Sequence, residues 1–410
     1  MKKNDERTSF VKFSEHKFIN KRDFSKMIFL RGASIFFSFF FFSNAAPSNL
    51  KREIEMKTKA KDELLGNGGK EQLQRRTNPF AMCSDADLAS QTGPFRWESK
   101  CLTGFLEFGD ESRKQLRIHW SLTKNYSTQL NVKGMGMQLS DLVKFRGDYL
   151  SPDDKTGLVY KLKADSAVPW VYLADGDGNN ERQFKTEWLT VKDGNVYAGS
   201  IGTEFLGDQG EIENLNQMFV KKITPYGNVI HMNWTEKYVA LREKIGIHPL
   251  GYVTHEAVRW SEIHKKWFFL PRQIAKTLGP PYRRDNKQGA NLMMITSDCF
   301  CDIETINVGK PQATHGFSAF DFVPDTGDTL IMAIKTEEIL SALRSYVMVF
   351  DITGKILIDE TEIPMENQKF EGLSFLYAND KFLTSERKLL AVDEPRKNES
   401  FENNSLTTFS

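Results

Sequence analysis

Between about residue 80 and residue 394, short apolar runs recur between turns rich in Gly, Asp and Asn. They include KQLRIHWSL at 114–122, GLVYKLK at 157–163, VPWVYLAD at 168–175, NVYAGSIG at 195–202, KWFFLP at 266–271, LMMITS at 292–297, TLIMAIK at 329–335 and YVMVFDITGKILI at 346–358. Runs of this length at close spacing predict strands, and strands with few helical stretches between them predict an all-β sandwich, barrel or propeller. One stretch, 236–244, reads as a helical excursion. A region of about 315 residues is too large for one sandwich of ~100 residues.

An irregular internal repeat chooses among these architectures. Five segments place a small hydroxyl or a carboxylate inside an otherwise apolar strand: GMQLSDLVKF with Ser140, FKTEWLTV with Glu187, THEAVRW with Glu256, HGFSAFDF with Ser318 and KFEGLSFL with Glu371. They stand 47, 69, 62 and 53 residues apart, the length of a four-stranded blade with a generous loop. The expected fold is an all-β, five-bladed β-propeller. Three glutamates and two serines turned into one channel would carry buried negative charge, which is costly unless paired or bound to metal. A hard divalent cation with oxygen ligands relieves that cost, so the pattern points to a central calcium site. No His/Cys cluster suggests zinc.

Charge and targeting signals refine the picture. Lys+Arg number 55 and Asp+Glu 54, so no global field recruits nucleic acid. Residues 1–46 read as a targeting segment: a basic flank, an apolar run from Ala33 to Phe42, and small residues at Ser43 and Ala45. The expected location is secreted, with an uncleaved signal-anchor in the ER/Golgi lumen as the alternative. Residues 47–79 read as a polar linker, 80–394 as the propeller and 395–410 as a polar tail. Sequons stand at Asn125, Asn233, Asn398 and Asn403. Of the four cysteines, Cys299 and Cys301 flank one residue, as they would on one face of an extended strand. Each is expected to pair with Cys83 or Cys101 rather than with the other; buried free thiols are the alternative. The Gly66–Lys70 run lacks the hydroxyl of a P-loop, since Glu71 stands in its place.

Several of these segments, together with SPDDKTGLVYKL, AVPWVYLADGDG, GYVTHEAVRWSE and KWFFLPR, resemble the calcium-activated nucleotidase family in order from about Phe80 to Leu376. That family includes vertebrate soluble nucleotidases and the salivary apyrases of blood-feeding bugs. The resemblance implies a five-bladed propeller with central calcium that cleaves nucleoside di- and triphosphates. It places Ser140, Glu187, Glu256, Ser318 and Glu371 at the calcium-site positions, with Asp141 assisting, and a calcium-linked homodimer is the assembly to consider. Departures are Ala89 in the Ala86–Ala89 stretch where the family has a second aspartate, Gln138 in place of an acid, and Thr203-Glu204-Phe205.

Phosphoryl transfer to water needs a group to orient the water and cations to hold the phosphates. Asp87 is the candidate for the first, and Arg272 and Lys335 for the second. Trp188 is the candidate for stacking on a base, against a plain core role. DGDGNN at 175–180 departs from an EF-hand loop and reads as a turn rimming the channel, and His255 and His315 are given no catalytic role. The rivals are a non-catalytic calcium-binding propeller and a calcium lactonase-type hydrolase.

Overall fold

Strand Arg76–Asp85 shows how the alternation of side chains builds stacked sheets. Phe80 and Met82 pack into one apolar cluster with Leu106, Met332 and Val347. Ala81 and Cys83 point the other way, into a second cluster with Trp97, Tyr126, Tyr149 and Tyr160. A strand with period-two side chains and apolar residues at both phases must be covered on both faces. The same division recurs at Trp188 and Leu189, which enter different clusters.

The structure is a computed structural model, and it describes residues 76–109, 115–277, 287–339 and 342–377. The chain divides into units 1–71 and 72–410, and every described residue belongs to the second. The targeting segment, residues 47–75 of the linker, the polar tail and the sequons Asn398 and Asn403 lie outside the described residues. Residues 76–79 are strand rather than linker, because they continue the pairing of Arg76–Asp85 with Arg96–Phe108.

Five sheets form a five-bladed β-propeller. Their innermost strands are Lys369–Phe375, Val143–Phe145, Trp188–Lys192, Tyr252–Ser261 and His315–Phe322, and each touches the next around the ring. Four blades run outward in chain order. The fifth joins the two ends of the folded region: Lys369–Phe375 pairs with Arg76–Asp85, in a register that sets Phe80 against Phe375 and Met82 against Leu373. Between strands of the third blade a small hairpin, Phe205–Leu206 with Ile212–Asn214, is inserted, and helix Thr235–Lys244 follows that blade, as the helical stretch predicts.

At the hub the inner strands converge on one guanidinium. Buried Arg259 makes two 2.7 Å bonds to Asp141. It also donates to the carbonyls of Leu189 (2.6 Å), Val258 (3.1 Å), Leu142 (3.1 Å) and Leu373 (3.2 Å), and lies 5.9 Å from the ring of Phe320. All five blades thus meet it. Asp141 is not available to a metal: its oxygens also accept the amides of Leu142 and Leu189 at 2.7 and 2.6 Å. Nearby Asp321 is pushed up to about 6 by burial, with Arg259 opposing the rise.

The cysteine pairing differs from expectation. Cys83 bonds to Cys101, its direct partner in the antiparallel register, and Cys299 bonds to Cys301. The latter two sit in a turn after Leu292–Thr296, where Phe300 has φ +56°, so they are not fixed on one face of an extended strand. Neither pair is a set of free thiols.

Asp141→Asn should cost about 3–5 kcal/mol in denaturant unfolding, because it strands a buried cation. Asp148→Asn, which removes a partly exposed partner of Lys161 and Lys163, should cost under ~1 kcal/mol. Equal losses would remove Arg259 and Asp141 from the centre of the fold's energetics.

Candidate active site

Each repeated polar residue sits within an innermost strand or just before one. Glu256, Ser318 and Glu371 are the extra residues of β-bulges, unpaired where the register of their strands shifts. A bulge bends the strand and re-aims one side chain. Glu187 immediately precedes Trp188–Lys192 and donates its amide to the Gly199 carbonyl at 2.8 Å. Ser140 precedes Val143–Phe145, its amide donating to the Pro152 carbonyl at 3.1 Å.

Three of the five, Glu187, Glu256 and Glu371, line a cavity of about 520 Å³. The two serines do not line it: both are buried, with Ser140 Oγ donating to the Gln138 carbonyl at 3.4 Å and Ser318 Oγ to the Phe370 carbonyl at 2.8 Å. Among the described residues lining the cavity are seven carboxylates and four cations, with no His or Cys. The cations work as knots. Arg272 lies 2.6 Å from Glu256, 2.8 Å from Glu338 and 3.3 Å from Glu371. Lys369 lies 2.9 Å from Asp85, 3.2 Å from both Glu338 and Glu371, and 3.5 Å from Asp87. Lys185 bridges Glu187 and Asp154, and Lys155 also holds Asp154.

The surplus of carboxylate shows in the titration of the acids. Burial pushes Glu256 up to about 7, with Arg272 opposing and Glu187 adding to the rise. Burial likewise holds Glu371 well above the usual range; Lys369 opposes, while Asp85 and Glu256 reinforce it. Asp87 is raised by burial and by Asp85. Glu338 moves the other way, to about 2, because Arg272 and Lys369 overcome its burial. The lining also includes the apolar side chains of Ile201, Phe205, Leu206, Ile212 and Leu250 and the ring of Tyr252. Carboxylates, cations and apolar side chains thus share one cavity, as in a site for a small ligand with both charged and apolar parts.

Comparison with known proteins agrees. Residues 85–376 match the family model described as Apyrase. The chain belongs to the apyrase family. It is 40% identical over 299 residues to soluble calcium-activated nucleotidase 1 of Rattus norvegicus, covering 72% of this chain and 73% of that one. An apyrase of Cimex lectularius is 40% identical over 295 residues (71% and 80%), and Apyrase apy-1 of Caenorhabditis elegans is 39% identical over 298 residues (72% and 83%). The protein is therefore an enzyme of the apyrase and nucleotidase class.

In this apyrase-family site, Asp87 and Arg272 line the cavity, but Lys335 and Trp188 do not. Lys335 is buried under Phe317 and paired with Glu360 at 3.2 Å, so its ammonium is spent within the sheet that starts at His315–Phe322. Trp188 is fully buried, donates to the Ser200 carbonyl at 3.1 Å and packs on Trp234 and Trp267, so it cannot stack on a ligand. The 175–180 turn does not rim the cavity: Asp175 accepts from Asn216 at 2.8 Å, and the Gly176 carbonyl accepts from buried Lys221. His315 is stacked on Tyr346 and paired with Glu360.

Sequence reading missed Lys155, Lys185, Lys369, Asp154 and Glu338. A signal for two of them was present. KTE at 185–187 and KFE at 369–371 set a lysine two residues before a ring glutamate, where an extended chain puts both on one side.

His255 offers a pH test. Its ring lies between Tyr238 and Phe269, its Nδ1 is buried without a partner among the described residues, and burial lowers its pKa to about 3. The folded chain cannot accept a proton that the unfolded chain takes up near pH 6.5. Stability should therefore fall as pH drops from about 6.5 toward 3. His255→Phe should flatten that slope in thermal melts between pH 7 and 4; an unchanged slope would assign acid lability to other groups.

Proposed function

We propose that this chain hydrolyses nucleoside di- and triphosphates of the UDP, GDP, ADP and ATP class, in a calcium-dependent reaction that releases orthophosphate. The observation that supports the reading is the cavity's excess of carboxylate over cation, seven against four among its described lining residues. Glu187, Glu256 and Glu371 would hold the calcium, with Ser140 and Ser318 completing the ring. Their oxygen-only chemistry fits a hard cation, and the upward shifts of Glu256 and Glu371 mark charge that such a cation would stabilise. Bound calcium supplies charge neutralisation at adjacent phosphates.

The chain's own residues do the rest. Lys155, Lys185, Arg272 and Lys369 offer donors to phosphate oxygens from the cavity lining. Asp87, with a 43% exposed side chain, orients water for in-line attack on the terminal phosphorus. The new P–O bond forms as the bridging P–O bond breaks, and the water's proton passes to Asp87 or solvent. The apolar side chains of the lining receive the nucleoside and keep the cut bond beside the charged groups. Secretion is part of this reading: two disulfides suit an oxidising compartment, and Asn125 and Asn233 are exposed.

Phosphate release should require calcium, fall strongly in magnesium, which demands a tight octahedron, and stop with chelator. Glu256→Gln should weaken calcium binding at least about tenfold, on the scale of perturbed metal-site ligation. Glu243→Gln, on the exposed side of helix Thr235–Lys244, should leave it unchanged. Equal activity in magnesium would sink the calcium assignment. Hydrolysis of lactones with no phosphate release from any nucleotide would sink the whole reading.

A further inference from the structure

Outside the cavity, the turn after Leu292–Thr296 carries a second concentration of reactive groups. Cys299 and Cys301 are bonded across the single residue Phe300, and both are exposed. The other disulfide, Cys83–Cys101, lies between paired strands with both residues fully buried. A cross-link stabilises mainly by restricting the unfolded chain, and the effect grows with loop length. A loop closed across one residue therefore adds little. The turn is anchored instead by Phe300, which is buried against Trp234 at 5.4 Å and Phe269 at 5.8 Å.

The surroundings suit the reduced form as well as the oxidised one. Ser297 Oγ lies 3.0 Å from Cys299 Sγ and donates its own proton to Asp302 Oδ1 at 2.5 Å. An acceptor for a Cys299 S–H is thus already in place. Three lysines flank the turn: Lys237 donates to the Asp298 carbonyl at 3.3 Å, Lys192 lies 3.5 Å from Asp298 and Lys266 lies 3.6 Å from Asp302. Lys192 and Lys266 offset the carboxylates of Asp298 and Asp302, the latter with an oxygen within 4.8 Å of both sulfurs, and the exposure of both cysteines admits an attacking thiolate.

We propose that Cys299–Cys301 is a thiol-exchange site that reacts with a small monothiol of the glutathione class. The monothiol's thiolate attacks one exposed sulfur, the Cys299–Cys301 bond breaks as a mixed disulfide forms, and the electron pair leaves on the other cysteine as a thiolate. A second monothiol attacks the mixed disulfide. Two thiols have then given two electrons, leaving two cysteine thiols and one oxidised monothiol dimer. Cys83–Cys101 stays intact because no thiolate reaches it.

The test incubates the folded full chain with reduced and oxidised glutathione, without denaturant, followed by acid quench, alkylation and peptide mass mapping. The 299–301 peptide should react at least about tenfold faster than the 83–101 peptides, since access governs exchange. Cys301→Ser should accumulate a glutathione adduct on Cys299, and tryptophan emission should stay native throughout. Equal protection of the two disulfides, no adduct in the variant, or reaction only as the emission turns unfolded-like would each overturn the proposal. The wild-type rates stand by themselves if the variant does not fold.

Discussion

Everything in this propeller is arranged around one buried cation. Arg259 offers five N–H donors in a fixed plane, and the five blades meet it with four carbonyls, one carboxylate and one aromatic ring. A guanidinium taken out of water is costly unless its charge and donors are answered, and Asp141 answers the charge in bidentate form. That requirement fixes geometry. A slip of one residue in an inner strand would turn its side chains to the wrong faces and its carbonyl away from the axis. The register of the sheets and the satisfaction of the hub are one constraint seen from two ends.

The candidate site follows from the same periodicity. Leu142, Leu189, Val258, Phe320 and Leu373, which touch Arg259, each stand two residues beyond a ring residue: Ser140, Glu187, Glu256, Ser318 and Glu371. Two residues of extended chain span roughly 6–7 Å. The polar ring is thus one layer of the axis and the Arg259 hub is the next, so the hub closes the floor beneath the ring. Bulges at three of the five positions let inner strands stay paired while one residue turns toward the cavity.

How much of this could be read beforehand depended on whether the signal lay along the chain or between distant parts of it. The blade repeat was legible because polar residues break an apolar strand at regular intervals, and three of them, Glu187, Glu256 and Glu371, line the cavity. Arg259 stood within the same quoted segment as Glu256, yet its role was invisible, since its partners lie 114 to 118 residues away in Asp141, Leu142 and Leu373. Asp141 was misassigned for the same reason: beside a ring residue it looks like a ligand, and only the tertiary structure shows its oxygens committed. Lys335 follows the ring lysines in sequence style, as KTE at 335–337, but its strand is second from the axis and its head meets Glu360 instead. Cysteine pairing failed because a local turn, not an extended strand, holds Cys299 and Cys301.

The two layers of the axis handle buried charge in opposite ways, and the difference separates scaffold from site. At the hub, the guanidinium–carboxylate pair is closed by backbone bonds on every side, leaving nothing for a ligand to gain. One layer on, Arg272 and Lys369 are shared among more carboxylates than they can neutralise, so Glu256 and Glu371 resist ionisation while Glu338 does not. Incomplete neutralisation is a poor way to stabilise a fold. It is a good way to prepare a cavity for a cation and an anionic ligand together, because the arriving charges complete a network that the protein alone leaves unfinished. On the proposed reading, the apolar side chains in the same lining would give the uncharged end of the ligand a place to rest beside that network.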